Sequence, residues 1–256
     1  MLKIKSLSVF FVNGEESTEA VKNFSCKVER GEVVGLLGES GSGKSTIGHA
    51  ILGILNKSAI KITGEILIDG ANLLELNDRD LLEYRGKKIS IVLQDPFSSL
   101  NPVFNIGDQI IETILCHRKV TKKEAKIEAI RLLKEVGLNE KLIYSYPHQL
   151  SGGMRQRVAI AIAISSSPDF IIADEITTAL DSDTQNEIIS LLQRLQEIKK
   201  FGLLFITHNF NIAQRVCKRF LILKRGELIE EGEDVFVKPR EEYTQKLVEA
   251  VKKLNG

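Results

Sequence analysis

Nine consecutive residues, Gly38-Glu39-Ser40-Gly41-Ser42-Gly43-Lys44-Ser45-Thr46, follow the pattern G-x-x-x-x-G-K-[ST]. Glycines at this spacing let successive backbone N–H groups turn inward around phosphate oxygens, and a helix that starts beside them adds its positive end. On this reading Lys44 reaches the β and γ phosphates of a nucleotide and the Ser45 hydroxyl holds Mg²⁺. The pattern carries meaning only between a buried strand and a helix. The apolar run Val33-Val34-Gly35-Leu36-Leu37 before it and helical spacing from Lys44 to about Leu55 after it supply that context. A plain glycine-rich turn is the bland alternative, and the Lys-Ser pair at its end weighs against it.

A second chemistry lies in Phe170-Ile171-Ile172-Ala173-Asp174-Glu175, an apolar strand ending in two carboxylates. Beside a phosphate loop, Asp174 is placed to hold Mg²⁺ through water and Glu175 to polarise the attacking water. Two acids at a strand end are otherwise solvated. Many phosphate-loop ATPases and GTPases remain open at this point, including helicases, recombinases and small-molecule kinases.

The elements that must position these groups can be read along the chain. Leu2-Ile4 and Leu7-Val9-Phe11 alternate as a strand, Asn13 to Glu16 forms a turn, and Ala20 to Val28 returns, which predicts antiparallel sheet in the first thirty residues. Helical spacing covers Asp78 to about Glu83 and Ile106 to Val136, predicting a helical subdomain in the middle of the chain. After Pro168, apolar runs such as Leu203 to Ile206 alternate with the helical patterns Thr184 to Lys199 and Phe210 to Arg215, as in parallel strands with crossover helices. Phe220 to Gly232 reads as a hairpin turning at Arg225-Gly226. The fold class expected is therefore α/β. It is a phosphate-loop NTPase core with a mixed, mainly parallel sheet, an N-terminal antiparallel β subdomain and an inserted α-helical subdomain.

Composition bounds the function. The chain has 256 residues with 43% apolar, enough for a buried core, and 35 basic against 34 acidic residues leave a formal charge of +1. That balance lacks the basic surplus of a nucleic-acid-binding protein. The three cysteines, Cys26, Cys116 and Cys217, are isolated and fit a reducing compartment. The longest apolar run, Val158 to Ile164, is far short of the ~20 residues that cross a bilayer. A cytoplasmic chain is expected.

Leu150-Ser151-Gly152-Gly153-Met154-Arg155-Gln156 resembles the signature sequence of the ATP-binding-cassette family. The resemblance implies that Ser151, Gly152 and Gly153, at a helix start, serve the γ phosphate held by an opposite subunit. The family's other landmarks follow in order. Gln94 matches a glutamine that touches Mg²⁺ and communicates with a membrane subunit, and Ala179-Leu180-Asp181 matches a loop crossing between subunits. His208 matches a histidine on the γ phosphate, and Phe11 stands where an aromatic stacks on adenine, with Phe10 adjacent as the alternative. His49, His117 and His148 have no such place and are expected to be structural.

Gln94 to Pro102 and Tyr146 to Gln156 look like the peptide and nickel uptake branch. That likeness implies one ATPase domain over residues 1–256, with a catalytic core and β subdomain at 1–93 and 158–256 and a helical subdomain at about 94–157. It implies ATP and Mg²⁺ as ligands. It also implies partners: a second cassette subunit that is a different chain, two transmembrane permeases that hold this chain at the cytoplasmic face of the cell membrane, and an extracellular substrate-binding protein, with no nucleic acid. Ile176 in place of a common proline, Asn209 in place of aspartate, and Glu241-Glu242-Tyr243-Thr244-Gln245, only partly like a His-Pro-Tyr-Thr motif, depart from the family pattern. The competing class is a soluble cassette ATPase acting on DNA or ribosomes, but this chain has neither a long coiled coil nor a second cassette.

Overall fold

A computed structural model describes residues 1–14, 16–95 and 99–255. Glu15 of the expected first turn, and Pro96, Phe97 and Ser98 of the stretch likened to the uptake branch, lie outside the described residues. The chain divides into two units, Met1–Leu81 with Gly202–Gly256, and Leu82–Phe201.

In the first unit, β1 (Leu2–Asn13) and β2 (Glu16–Val28) pair antiparallel from Leu2 opposite Val28 to Asn13 opposite Glu16. β1 also pairs with β4 (Ile60–Ile68), which carries the two-residue β5 (Ala71–Asn72) on its other edge. Leu2 and Ile4 alternate, as do Leu7 and Val9, and an irregularity between Ile4 and Leu7, where Ser6 has φ 47°, shifts the parity so that all four are buried, opposite Ile68, Ile66, Phe24 and Val21. β4 and β5 were not anticipated from the sequence.

A second sheet in this unit centres on β3 (Val33–Leu37), whose five residues are all buried. β3 runs parallel to β8 (Gly202–Thr207) on one side and to β9 (Arg219–Lys224) on the other. A strand flanked on both sides and covered on both faces needs a continuous apolar run, which Val-Val-Gly-Leu-Leu supplies. β10 (Glu227–Gly232) returns antiparallel to β9. The expected turn at Arg225-Gly226 is present, with φ of 47° and 85°, the two positive values a tight hairpin requires. The helices of this unit are α1 (Lys44–Leu52), α7 (Phe210–Val216) and α8 (Glu242–Asn255). α1 stops earlier than expected because Gly53 adopts the left-handed conformation and caps it. α2 (Asp78–Tyr84) spans the boundary between the units.

In the second unit, β6 (Ile89–Val92) and β7 (Phe170–Asp174) run parallel, Ile89 opposite Phe170 and Val92 opposite Ala173. Helical spacing from Ile106 to Val136 resolves into two helices, α3 (Ile106–His117) and α4 (Lys122–Glu135). Thr121 and Glu124 form a reciprocal capping box that starts α4 afresh. α5 (Gly152–Ile164) and α6 (Ser182–Lys199) complete the unit. Ile110, Ile114, Ala125, Ala129, Leu132 and Leu133 supply much of the apolar core where α3 meets α4. Among the described residues no helix is long and apolar enough to cross a membrane.

Candidate nucleotide site

The first unit positions the glycine-rich loop. The loop leaves the C-terminal end of β3 and runs into α1, whose N-cap Gly43 has φ 102° and makes no side-chain cap hydrogen bond. A side chain at Gly43 would be doubly penalised, by the left-handed backbone and by a Cβ only 2.5 Å from the Ala20 carbonyl oxygen of β2. At the other end of the loop a Cβ on Gly38 would lie 2.3 Å from the Leu223 carbonyl oxygen of β9. The loop is thus pressed between two strands. The Gly226 amide of the β9–β10 turn donates to the Ser42 carbonyl at 2.9 Å, and the Lys22 amide of β2 donates to the Gly226 carbonyl at 2.8 Å.

Lys44 is 4% exposed and its ammonium donates to the carbonyls of Gly38 at 3.0 Å and Glu39 at 2.8 Å. A buried ammonium needs such partners, and these two hold it against the glycine-rich loop. Ser45 and Thr46, in the first turn of α1, are half-buried, Ser42 is buried, and Glu39, Ser40 and Gly41 are exposed.

Register brings a second group to the same strand ends. Leu37 of β3 lies opposite Thr207 of β8, so the loop and His208 leave the sheet side by side. Ligands of parallel sheets bind at these carboxyl ends. His208 is exposed, and Asn209 caps α7 by accepting the Ile212 amide at 3.2 Å. Asparagine and aspartate are equally good caps, so the start of α7 is served by either. Phe11, on β1, is 37% exposed, whereas its neighbour Phe10 is half-buried. Successive residues of a strand face opposite sides, so the two rings lie on different faces of β1.

The second unit repeats the logic. β6 and β7 are adjacent and parallel, so Gln94, exposed two residues past β6, leaves from the same end as Asp174 and Glu175. Asp174 is 2% exposed and Glu175 9%. Glu175 has φ 46°, a left-handed backbone costing a non-glycine residue about 1–2 kcal/mol. Strain of this kind persists where surrounding structure holds it and gathers at functional positions. The Thr178 hydroxyl donates to the Glu175 carboxylate at 3.2 Å. Thr178 was missed in the sequence; its signal is a hydroxyl three residues after an acid at a strand end. Ile176, in place of proline, is 1% exposed and packs as core.

Ser151 is the N-cap of α5, its hydroxyl oxygen accepting the Met154 amide at 3.3 Å. Asp181 is the N-cap of α6, accepting from the Thr184 amide at 3.0 Å and hydroxyl at 2.8 Å. The amide bond first, then the hydroxyl, holds its carboxyl below the usual range. The two caps meet, since a Cβ on Gly153 would lie 2.4 Å from Thr184 Cγ2. Ser151 is exposed and Gly152 and Gly153 half-buried.

Elsewhere, Cys26 and Cys217 are buried and Cys116 is exposed, all three as thiols. Burial pushes the Cys26 thiol up to about 12, outside the range of a reactive thiolate.

The strand, glycine-rich loop and helix, with the antiparallel β subdomain beside them, define an α/β phosphate-loop NTPase. Residues 21–178 match the family described as ABC transporter, and the chain belongs to that family. The oligopeptide transport ATP-binding protein AppD of Bacillus subtilis is 37% identical over 261 residues, covering 100% of this chain and 80% of AppD. The probable peptide ABC transporter ATP-binding protein y4tR of Sinorhizobium fredii is 38% identical, covering 98% of this chain and 76% of that protein. The glutathione import ATP-binding protein GsiA of Salmonella choleraesuis is 40% identical over the whole chain, which spans only 43% of its length. Among solved structures, the dimeric post-hydrolysis state of the ATP-binding cassette MJ0796 bound to ADP and Pi superposes with TM-score 0.80 at 36% identity, covering 91% of this chain and 98% of that one.

Proposed function

We propose that this chain is the ATP-hydrolysing subunit of a peptide importer and acts as a single ABC ATPase domain. The catalytic core and β subdomain would be 1–93 and 158–256, and the helical subdomain about 94–157. The observation that carries the reading is the cradle itself: an α1 with no side-chain cap, a left-handed Gly43, and a buried Lys44 held over the loop by two carbonyls. These groups fit a nucleotide's phosphates. The Ser45 hydroxyl, the Gln94 amide oxygen and, through water, the Asp174 carboxylate are the hard oxygen donors Mg²⁺ prefers.

The mechanism follows from charge. Lys44 and the loop amides bind the β and γ phosphates and stabilise charge that builds on them. Ser45, Gln94 and Asp174 would hold Mg²⁺, which would supply neutralisation of phosphate charge. Glu175, steadied by Thr178, accepts a proton from the attacking water, and His208 contacts the γ phosphate. Ser151, Gly152, Gly153 and Asp181 act on the site of a second cassette, so that each of two sites needs both chains. Phe11 stacks on the adenine.

The partners are a second cassette subunit and two permeases, which place the chain at the cytoplasmic face of the membrane, with a substrate-binding protein outside. The names of AppD, y4tR and GsiA favour peptides over nickel as cargo. ATP closes the cassette pair, hydrolysis reopens it, and the segment from Gln94 to Leu115 passes the motion to the permeases.

The test compares the Mg-ATPase rate of the purified chain alone with its rate beside a candidate partner cassette and permeases. A low rate that rises on assembly is expected; full activity alone, indifferent to permeases, would overturn the transporter reading. Glu175→Gln is expected to bind ATP and accumulate a closed dimer, and vigorous turnover by it would remove Glu175 from its role.

A further inference from the structure

Ala20 is an extra residue in β2. Val9 of β1 lies opposite Val21, and the next residue, Phe10, lies opposite Glu19, so Ala20 has no partner across the ladder. A strand carrying one residue more than its neighbour bends there and re-aims its groups. The Ala20 carbonyl oxygen lies against two glycines at once. A Cβ on Gly43 of the loop would be 2.5 Å from it, and a Cβ on Gly226 of the β9–β10 turn 2.7 Å. Three stretches of backbone from remote parts of the sequence therefore meet at one oxygen, and only residues without a side chain let them come so close.

Gly226 holds both of its neighbours by hydrogen bonds. Its carbonyl accepts the Lys22 amide of β2 at 2.8 Å, and its own amide donates to the Ser42 carbonyl of the loop at 2.9 Å. On the surface, the Lys22 ammonium and the Glu227 carboxylate pair at 2.9 Å and tie the turn to β2 again. The bond to Ser42 decides which way the last peptide of the loop faces. No peptide bond among the described residues is cis, and in a planar trans peptide the C=O and N–H point in opposite directions. With the Ser42 carbonyl drawn to the turn, the Gly43 N–H points away from it. Among the described residues nothing accepts that N–H. Were this peptide rotated, an oxygen instead of a donor would face an arriving anion.

We propose that Gly226 is a positioning residue for nucleotide binding: its amide, seated against the extra residue of β2, holds the Ser42–Gly43 peptide in the orientation that offers the Gly43 N–H to a phosphate oxygen. The inference rests on the proposed ATP-binding reading of the loop and names the group that sets the loop before nucleotide arrives. A donor already oriented costs no reorganisation when the anion binds.

The test uses the full chain, with Gly226→Asn, Arg225→Asn and Lys22→Met beside the wild type and with isotope-labelled glycine amides. Asparagine tolerates left-handed backbone, so Arg225→Asn keeps the turn. Gly226→Asn tolerates it too, but its Cβ would meet the Ala20 carbonyl at 2.7 Å and force the turn off the loop. Gly226→Asn should bind Mg-ATP and Mg-ADP about tenfold more weakly, by the same factor for each, because loop amides serve the α and β phosphates that both nucleotides carry. KM should rise alike with kcat nearly unchanged. Arg225→Asn should bind as the wild type does, and Lys22→Met, which removes only a surface ion pair, at most about threefold more weakly. In the wild type Mg-ADP should move the Gly43 amide proton downfield, as a hydrogen bond to an anion does, and in Gly226→Asn much less. Wild-type affinity in Gly226→Asn, or an equal loss in Arg225→Asn, would overturn the inference. If Gly226→Asn does not fold, a wild-type Gly43 proton that stays in place while Mg-ADP binds overturns it just as well. A wild-type chain that binds neither nucleotide would instead overturn the ATP-binding reading, and the inference with it.

Discussion

Two helix N-termini, one in each unit, are both expected to face phosphate, and their first turns are finished differently. α1 begins at a left-handed Gly43 with no side-chain cap, whereas α5 begins after Ser151, whose hydroxyl oxygen accepts the Met154 amide. α3, α4, α6 and α7 are capped by side chains too, from Asn105, Thr121, Asp181 and Asn209. A side-chain cap sits where an anion's oxygen would sit, so a helix end meant to receive a whole phosphate does best without one. Ser151 solves a different problem. A hydroxyl has lone pairs to accept with and one proton to donate, so it can cap its own helix and still offer that proton to a phosphate oxygen. Aspartate could cap as well, but it would bring negative charge and no proton. Capping chemistry thus separates an end that takes the anion from an end that adds one more donor to it.

The contrast can be broken hardest at Lys44. Lys44→Met keeps most of the side-chain volume and removes the charge that α1 has in place of a cap; the Mg-ATPase rate should fall about 100-fold or more while the far-ultraviolet circular dichroism stays as in the wild type. Gly43→Ala attacks the conformation rather than the charge. The left-handed backbone alone should cost about 1–2 kcal/mol, the close Ala20 carbonyl adds to it, and urea unfolding should show the loss together with weakened ATP binding. At α5 two substitutions split the two jobs of Ser151. Ser151→Ala should cost about 1 kcal/mol of stability, and Ser151→Asp should leave the urea midpoint near that of the wild type. Ser151→Asp should still cut hydrolysis in the assembled cassette pair at least about tenfold, because a carboxylate would then face phosphate. Hydrolysis unchanged in Ser151→Asp would leave Ser151 a cap and nothing more.

The difference between the two ends was only partly legible in the sequence. The phosphate loop could be read outright, because its strand, glycines, lysine and helix are contiguous and each acts locally. The β9–β10 turn was legible for the same reason. Gln94, Ser151, Asp181 and His208 needed family resemblance, since an isolated residue at a strand or helix end has no local pattern that separates duty to a ligand from capping. The structure makes Ser151 and Asp181 the N-caps of α5 and α6. The break between α3 and α4 was signalled by Thr121 and Glu124 but hidden by continuous helical spacing. β4 went unseen although Ile60, Ile62, Ile66 and Ile68 alternate, because Gly64 interrupts the run where β1 comes close.

The smallest effect sharpens the comparison by asking how much of a cap is charge. Asp181 caps α6 with a carboxylate, Ser151 caps α5 with a neutral hydroxyl, and the two helix starts touch through Gly153 and Thr184. The bonds from Thr184 lower the Asp181 pKa in the folded chain, so its contribution is present above the unfolded carboxylate value and is lost as pH falls through the lowered one. An asparagine in its place would cap without titrating, so Asp181→Asn and the wild type should melt alike above about pH 6. Below the ordinary carboxylate range the asparagine variant should become the more stable of the two. Subtracting one melting curve from the other cancels every other carboxylate in the chain, and a difference flat from neutral to acid pH would mean that the Thr184 bonds do not favour the ionised carboxyl over the protonated one.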